Sequence, residues 1–120
     1  MSDNWKDGLT DRLCEAFLVL RTRQEVYDFL EDIATINELK ALSQRLEVAR
    51  LLKEARNYPQ IARQTGASTA TISRVKKCLS YGTGGYGTAL ERLSRDGVRV
   101  ERELDVDWTK GSDDGRKEDV

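Results

Sequence analysis

Apolar residues recur every three or four positions through most of residues 9–95, which is the spacing of one face of an α-helix. The apolar positions of a first helix are Leu9, Leu13, Ala16, Phe17 and Leu20. Thr22 and Glu25 have the spacing of a capping box, which predicts that a second helix starts there. Its inward positions are Val26, Phe29, Leu30 and Ile33.

A second capping-box pattern, Thr35 with Glu38, predicts the start of the longest helix, which we expect to end near Arg56. Its apolar stripe contains Leu39, Leu42, Leu46 and Ala49, flanked by Ala41, Val48, Leu51, Leu52 and Ala55. This stripe is wider than a single core-facing side requires. We therefore expect the helix to be covered on two sides.

Capping and breaking residues predict three shorter helices after it. Asn57 starts a helix that tolerates Pro59 in its first turn and ends at Gly66, and Ser68 starts the next. Glycines at 82, 84, 85 and 87 end that helix, and a last one is expected over residues 86–95. The inward positions are Ile72, Val75, Leu79, Leu90 and Leu93. The predicted fold is all-α, with six helices in one domain over residues 9–95.

Composition excludes several classes of protein. No apolar run of 18 residues exists and the N-terminus lacks the pattern of a signal peptide, so we expect a cytoplasmic protein without a membrane partner. The absence of histidine and the wide separation of Cys14 and Cys78 remove the usual zinc sites and the commonest general base. We expect no catalytic residues, no metal and no cofactor, with both cysteines acting as small buried hydrophobes.

Charge is distributed unevenly although the net charge is only −1. Residues 56–90 contain five cations and no acid, whereas residues 96–120 contain 9 acidic and 5 basic side chains. We expect residues 1–8 to be flexible and residues 96–120 to form a disordered acidic tail. Alternating apolar and charged residues leave open that the tail contains a short edge strand or a partner-binding segment.

The stretch YPQIARQTGASTATISRVKK, residues 58–77, has the pattern of a helix-turn-helix. Its inward positions are Ile61, Ala62, Thr65, Ala67, Ile72 and Val75. Ala62 allows the second helix to cross closely, and Gly66 can adopt the positive φ of a tight turn between helices.

The outward face of the second helix then carries short hydroxylated side chains and cations. Short side chains allow a helix to approach base edges in the major groove, and cations pair with phosphates. The predicted partner is double-stranded DNA, and the predicted contacts are Arg56, Arg63, Ser68, Thr69, Ala70, Thr71, Ser73, Arg74, Lys76 and Lys77. The alternatives are a helical hairpin used only for packing and a non-catalytic protein-interaction module built on a helix-turn-helix scaffold.

The glycine cluster GTGGYG, residues 82–87, formally matches the dinucleotide-binding pattern G-x-G-x-x-G. A dinucleotide site needs this pattern after a strand, whereas a helix is predicted before it here. We interpret the cluster as a hinge between the last two helices.

The segment INELKALSQRLEVARLLKEARNYPQIARQTGASTATISRVKKCL, residues 36–79, resembles the Trp repressor family, and in particular its YerC/YecD branch of small TrpR-like proteins. The resemblance extends over residues 9–93. It implies an intertwined all-α homodimer in which two helix-turn-helix heads project from a shared core. It also implies a sequence-specific transcription regulator that acts as a repressor.

In that family two arginines sandwich the indole ring of a corepressor, and the resemblance places Arg45 and Arg74 in this role, with Thr35 at the pocket edge. Two positions depart from the pattern: Val75 replaces a small glycine, and Cys78 replaces a serine near the ligand's amino group. Since valine projects into the indole space and a thiol is a weak hydrogen-bonding group, we expect tryptophan to fit poorly. Another small corepressor such as a different amino acid, no effector at all, and a structural salt bridge for Arg45 remain open.

Overall fold

The computed structural model describes residues 4–95, and this part of the chain is entirely helical and turn. Its six helices are α1 (Gly8–Leu18), α2 (Arg23–Ile33), α3 (Ile36–Lys53), α4 (Tyr58–Thr65), α5 (Thr69–Tyr81) and α6 (Gly85–Arg95). The predicted all-α class with six helices is confirmed. The predictions for residues 1–3 and for the tail over residues 96–120 lie outside the described residues.

The predicted helix starts are formed by side-chain caps. Thr35 and Glu38 form a full capping box, because the Thr35 N–H donates to Glu38 Oε1 at 2.8 Å and the Glu38 N–H donates to Thr35 Oγ1 at 3.1 Å. Thr22 caps α2 as expected, with the Glu25 N–H 3.1 Å from its hydroxyl oxygen. The second hydrogen bond of this capping box differs from the prediction. The Glu25 carboxylate accepts from the N–H of Arg21 at 2.8 Å, one residue before the Thr22 N–H that a capping box would use.

The chain divides into two compact units, and the first ends at Leu39. Within it, α1 and α2 contact each other through Phe17 and Phe29, whose rings meet edge to face with centroids 5.2 Å apart. Neither helix buries a single residue. Ile33, predicted to face inward, is 50% exposed.

The second unit begins at Lys40 and contains the hydrophobic core of the described chain. The core residues are Val48, Ala49 and Leu51 of α3, Ile61 of α4, Ala67 of the turn, Ile72 and Val75 of α5, and Leu90 of α6. Half-buried side chains pack around this core, namely Leu52, Tyr58, Ala62, Leu79 and Tyr86. The prediction that Leu93 is buried is wrong, since Leu93 is 38% exposed, whereas Leu90 of the same helix lies in the core.

The end of α3 differs from the prediction, since the helix stops at Lys53 and Arg56 lies beyond it. Ala55 adopts a left-handed conformation with φ +63°. The Ala55 N–H donates to the Leu52 carbonyl and the Arg56 N–H donates to the Leu51 carbonyl, which together form a Schellman motif. This motif turns the chain into α4 three residues earlier than the apolar pattern indicates.

The predictions for the two cysteines and for the glycine cluster differ from the structure. Both cysteines are exposed, so the expectation that Cys14 and Cys78 are buried hydrophobes is wrong for the described chain. The glycine cluster is only partly a connection, because residues 82–84 link α5 to α6 and Gly85 already begins α6. Among residues 4–95, no helix combines the length and the apolar character needed to cross a bilayer.

Candidate nucleic-acid interface

The turn between α4 and α5 is a tight connection over residues 66–68. Gly66 has φ +77°, and its N–H donates to the Ala62 carbonyl at 2.8 Å, which closes α4. The Thr65 hydroxyl donates to the Ile61 carbonyl at 2.8 Å and accepts from the Ala67 N–H at 3.1 Å. The conformation predicted for Gly66 is therefore present, and side-chain hydrogen bonds hold the turn on both sides.

A side chain of α3 also supports this turn. The Gln44 side-chain amide donates from Nε2 to the Thr65 carbonyl at 3.0 Å. This carbonyl belongs to the last residue of α4, where intrahelical partners run out. Gln44 therefore ties the long helix to the connection between α4 and α5.

Burial separates the two faces of α5. Ile72 and Val75 are 0% and 1% exposed, and Ile61 of α4 and Ala67 of the turn pack beside them in the core. These are four of the inward positions predicted from the spacing of residues 58–77. The arrangement of α4, turn and α5 is consistent with a helix-turn-helix, and it leaves the opposite face of α5 at the surface.

The predicted contact residues on α5 and its cap lie mostly on this outward face. Ser68, Thr69, Ala70, Ser73, Arg74, Lys76 and Lys77 are exposed, and Thr71 is half-buried. The Ser68 hydroxyl is already engaged, since it accepts the Thr71 N–H at 3.1 Å and donates to Thr71 Oγ1 at 3.1 Å. Thr69 and Ala70 are therefore the exposed small residues at the start of α5 whose side chains are not used by the cap.

The five predicted cations are all exposed, and two of them have neighbours that hold them in place. The Lys76 ammonium lies 5.9 Å from the centre of the Tyr58 ring, within the range of a cation–π contact. Arg56 reaches Gln64 Oε1 at 3.3 Å and forms an ion pair with Glu54 at 3.4 Å. Glu54 lies just before the acid-free stretch, so the positive charge of Arg56 is partly compensated.

The residues implied for an effector pocket are divided between the two units. Thr35 belongs to the first unit, where its hydroxyl caps α3. Arg45, Arg74 and Cys78 belong to the second unit, with Arg45 half-buried and the other two exposed. Val75 is buried in the core, so its side chain packs among apolar neighbours, whereas the sequence suggested that it would project into a ligand space.

Tyr86 of α6 is a neighbour of this group that the sequence pattern did not single out. Burial raises the pKa of the Tyr86 phenol above its ordinary value, the nearby Cys78 raises this pKa further, and Arg45 lowers it. Arg45, Cys78 and Tyr86 therefore lie within electrostatic reach of one another. An aromatic residue among the glycines at the start of α6 is the signal that could have identified it.

Similarity to known proteins agrees with this geometry. The Trp repressor protein family matches residues 9–94. The chain is 53% identical over 83 residues to the uncharacterised protein YerC of Bacillus subtilis strain 168, a match that covers 69% of this chain and 80% of YerC.

Two solved structures have the same fold. A TrpR-like protein from Eubacterium eligens ATCC 27750 superimposes with a TM-score of 0.75 at 50% identity, covering 78% of this chain and 97% of that protein. A candidate Trp repressor from Staphylococcus aureus superimposes with a TM-score of 0.74 at 42% identity, covering 77% of this chain and 92% of that protein. The α-helical fold, the match over residues 9–94 and these relatives together show that the chain belongs to the Trp repressor family.

Proposed function

We propose that this protein is a sequence-specific DNA-binding transcription regulator, a repressor, that reads its operator with α5. The observation that carries the proposal is the charge of residues 56–90, which contain no acid and five exposed cations, one just before α4 and four on α4 and α5. An acid on this surface would repel phosphates, and each cation that neutralises a phosphate releases a counterion. The proposed activity is non-catalytic.

The two kinds of exposed side chain on α4 and α5 have different proposed roles. We assign phosphate contacts to the exposed cations Arg63 of α4 and Arg74 and Lys77 of α5, and such contacts set affinity and register without sequence information. Thr69 and Ala70 are small enough to let the start of α5 approach base edges, where a hydroxyl bonds to a base and a methyl meets thymine. Sequence preference is therefore assigned to the first turn of α5 and overall affinity to the cations.

We propose that the regulator is a homodimer, in keeping with the uncovered apolar side chains around α1, α2 and the first half of α3. Leu9, Leu18 and Ile36 are 82%, 81% and 62% exposed, and Leu42 in α3 is 53% exposed. Exposed apolar side chains at this density are typical of a surface that another chain covers. A symmetric dimer would also present two copies of α5 to a palindromic operator.

Repression follows from this proposal by occlusion, because a dimer bound across a promoter excludes RNA polymerase. The Trp repressor family and the structural relative described as a candidate Trp repressor support this direction of regulation. A protein that acts on the chromosome of a bacterium works in the cytoplasm, which is the location we propose.

We also propose that an amino-acid effector binds beside Arg45, Arg74 and Cys78, of which Arg45 and Cys78 lie within electrostatic reach of Tyr86. The calorimetric test is a titration of the protein with each of the common amino acids. Binding heat that disappears in Arg45→Ala supports this site. The absence of binding heat with every amino acid would contradict control by an amino-acid effector.

The test of the main proposal is selection of bound fragments from the source genome, followed by electrophoretic retardation with two variants. Lys77→Ala should weaken binding to operator and random DNA by a similar factor and reduce the salt slope by about 1. Thr69→Ala should mainly reduce discrimination between operator and mismatched sites, by about fivefold. Arg12→Ala, which removes an exposed cation of α1, is the matched control and should change neither.

The outcome that contradicts the proposal is retardation that none of these α5 variants changes. Selection of no DNA, together with retention of a specific protein partner, would instead support the protein-interaction module.

A further inference from the structure

An open pocket of ≈430 Å³ lies where the end of α3, the start of α4 and the second half of α5 meet. It belongs entirely to the second unit. Its volume is within the range of sites that hold small organic molecules. None of its lining residues is Arg45, Arg74, Cys78 or Thr35, so it is separate from the effector group considered above.

One part of the pocket lining is apolar. Leu52 and Leu79 line it and pack against the buried core, and the Tyr58 ring does the same from the first turn of α4. The Tyr58 hydroxyl lies 3.4 Å from the Ser73 hydroxyl of α5, at the long end of the range for a hydrogen bond. These surfaces favour a ligand with an apolar body, because a bare phosphate or sulfate would leave them in water.

The polar part of the lining is cationic. Lys76 and Arg56 both line the pocket, and no lining residue carries a carboxylate. Over residues 4–95, Lys76 has no ion-pair partner, while Arg56 shares Glu54 with Arg50, whose Nη1 lies 2.7 Å from the same carboxylate. Lys76 is therefore the stronger anchor for a negative group, with Arg56 beside it.

The uncharged polar residues of the lining complete this picture. The Asn57 side-chain oxygen accepts the Gln60 N–H at 2.9 Å, so it is committed to capping α4. Ser80 is exposed on α5 and lines the pocket. A ligand that carries one anionic group next to an apolar body matches two cations, a hydroxyl and an apolar floor.

We propose that this pocket binds a small organic carboxylate with an apolar body, and that the bound carboxylate competes with DNA phosphates for Lys76 and Arg56. The binding step depends only on the pocket, whereas the competition step rests on the proposed DNA-binding function. The pocket would thus make DNA affinity sensitive to the concentration of such an acid.

The first experiment measures binding without DNA. The full chain labelled with ¹⁵N is titrated with 3-phenylpropionate, and in parallel with the uncharged 3-phenylpropanamide, which has the same apolar body. The carboxylate should give saturable shifts at the amides of Ala55 and Ser80, and the amide compound should bind about tenfold more weakly or not at all.

Two variants and a matched control locate the site. Lys76→Gln should weaken 3-phenylpropionate binding about tenfold, and Ser80→Phe should abolish it by filling the pocket. Lys77→Gln removes the same charge from the neighbouring position of α5 but lies outside the lining, so it should leave the affinity for the probe unchanged. Circular dichroism checks that Ser80→Phe folds, and the pair of lysine variants tests the site without it.

Three results would contradict the proposal that this pocket binds a carboxylate. These are the absence of saturable shifts, equal binding of the charged and uncharged probes, or equal loss in Lys76→Gln and Lys77→Gln, which would indicate unspecific attraction to positive charge.

The second experiment measures competition with DNA. At ten times its Kd, 3-phenylpropionate should weaken retardation of a bound fragment about tenfold in the wild type and leave Ser80→Phe unaffected. Probe binding without any effect on retardation supports the pocket and overturns the competition. A protein that retards no DNA contradicts the proposed function, while the NMR titration still decides the pocket.

Discussion

The two units of this chain differ in how many apolar side chains they bury. The second unit buries eight hydrophobic residues among α3, α4, α5 and α6. In the first unit, α1 and α2 bury none, although Phe17 and Phe29 are in contact. A single edge-to-face ring pair contributes about 1 kcal/mol, far less than the conformational entropy of ordering two helices. The first unit therefore depends on a surface that its own two helices do not supply.

The largest expected effect comes from placing a charge at Leu42, an uncovered apolar side chain of α3 that belongs to the second unit. Leu42→Glu changes a side chain that is 53% exposed and keeps a strong helix former in α3. If a second copy covers Leu42, two carboxylates enter the interface at a cost of several kcal/mol each, and the dimer Kd should rise at least about 100-fold. Sedimentation velocity over a range of concentrations measures this.

Tyr81→Glu is the matched control for Leu42→Glu, since Tyr81 is 84% exposed and lies on α5. It should leave the association state unchanged. A Leu42→Glu protein that keeps the wild-type association state, or a wild type that stays monomeric, would contradict the proposed dimer.

The next effect tests the second unit by removing part of its own core. Leu51→Ala truncates a side chain that is 1% exposed, which should lower the free energy of unfolding by about 2–5 kcal/mol. Because Leu51 packs inside one chain, the loss should be the same at low and high protein concentrations. Urea denaturation at two concentrations provides the measurement, with the exposed Lys53→Ala as control. A loss that grows on dilution would place Leu51 in the interface between chains.

The smallest effect concerns the dependence of stability on pH. Burial, followed by the nearby Cys78, raises the pKa of the Tyr86 phenol, so the folded state disfavours the phenolate. The corresponding stability is fully present below the ordinary tyrosine pKa near 10 and is lost as pH rises through the folded pKa. Tyr86→Phe lacks this loss, so its stability relative to the wild type should increase between pH 9 and pH 11, by less than about 1 kcal/mol.

Thermal denaturation across this pH range measures the Tyr86 effect. Tyr81→Phe, which removes a hydroxyl from a ring that is 84% exposed, is the matched control for the loss of a tyrosine hydroxyl. Parallel pH profiles for Tyr86→Phe and the wild type would contradict the role assigned to burial.

Much of the second unit could be predicted from the sequence because its signals are local. Asn57 and Ser68 cap helices of this unit through contacts with residues three positions away, as Thr35 does in the first unit, and such spacing is visible in the sequence. The buried positions Ile61 and Ile72 follow from helical periodicity. The exposed face of α5 follows in turn, because what is buried on a helix determines what is left outside.

Other features could not be predicted, because they depend on contacts between distant residues or on unusual conformations. Gln44 and Thr65 are joined across 21 positions, and no local pattern indicates that pairing. Ala55 adopts a left-handed conformation that usually signals glycine, so the end of α3 was placed too late. Ile33 and Cys14 have apolar surroundings in the sequence but are exposed in the chain, since periodicity does not show which surface covers a helix.

The hydrogen bond from Gln44 to the Thr65 carbonyl has a mechanical consequence. It links the connection between α4 and α5 to α3, so a change in the tilt of α5 relative to α3 would stretch or break this bond. Any rearrangement that slides or rotates α3 has to carry this connection with it or break this 3.0 Å link. The orientation of α5 is thereby coupled to α3, a helix that lies outside the α4–α5 surface.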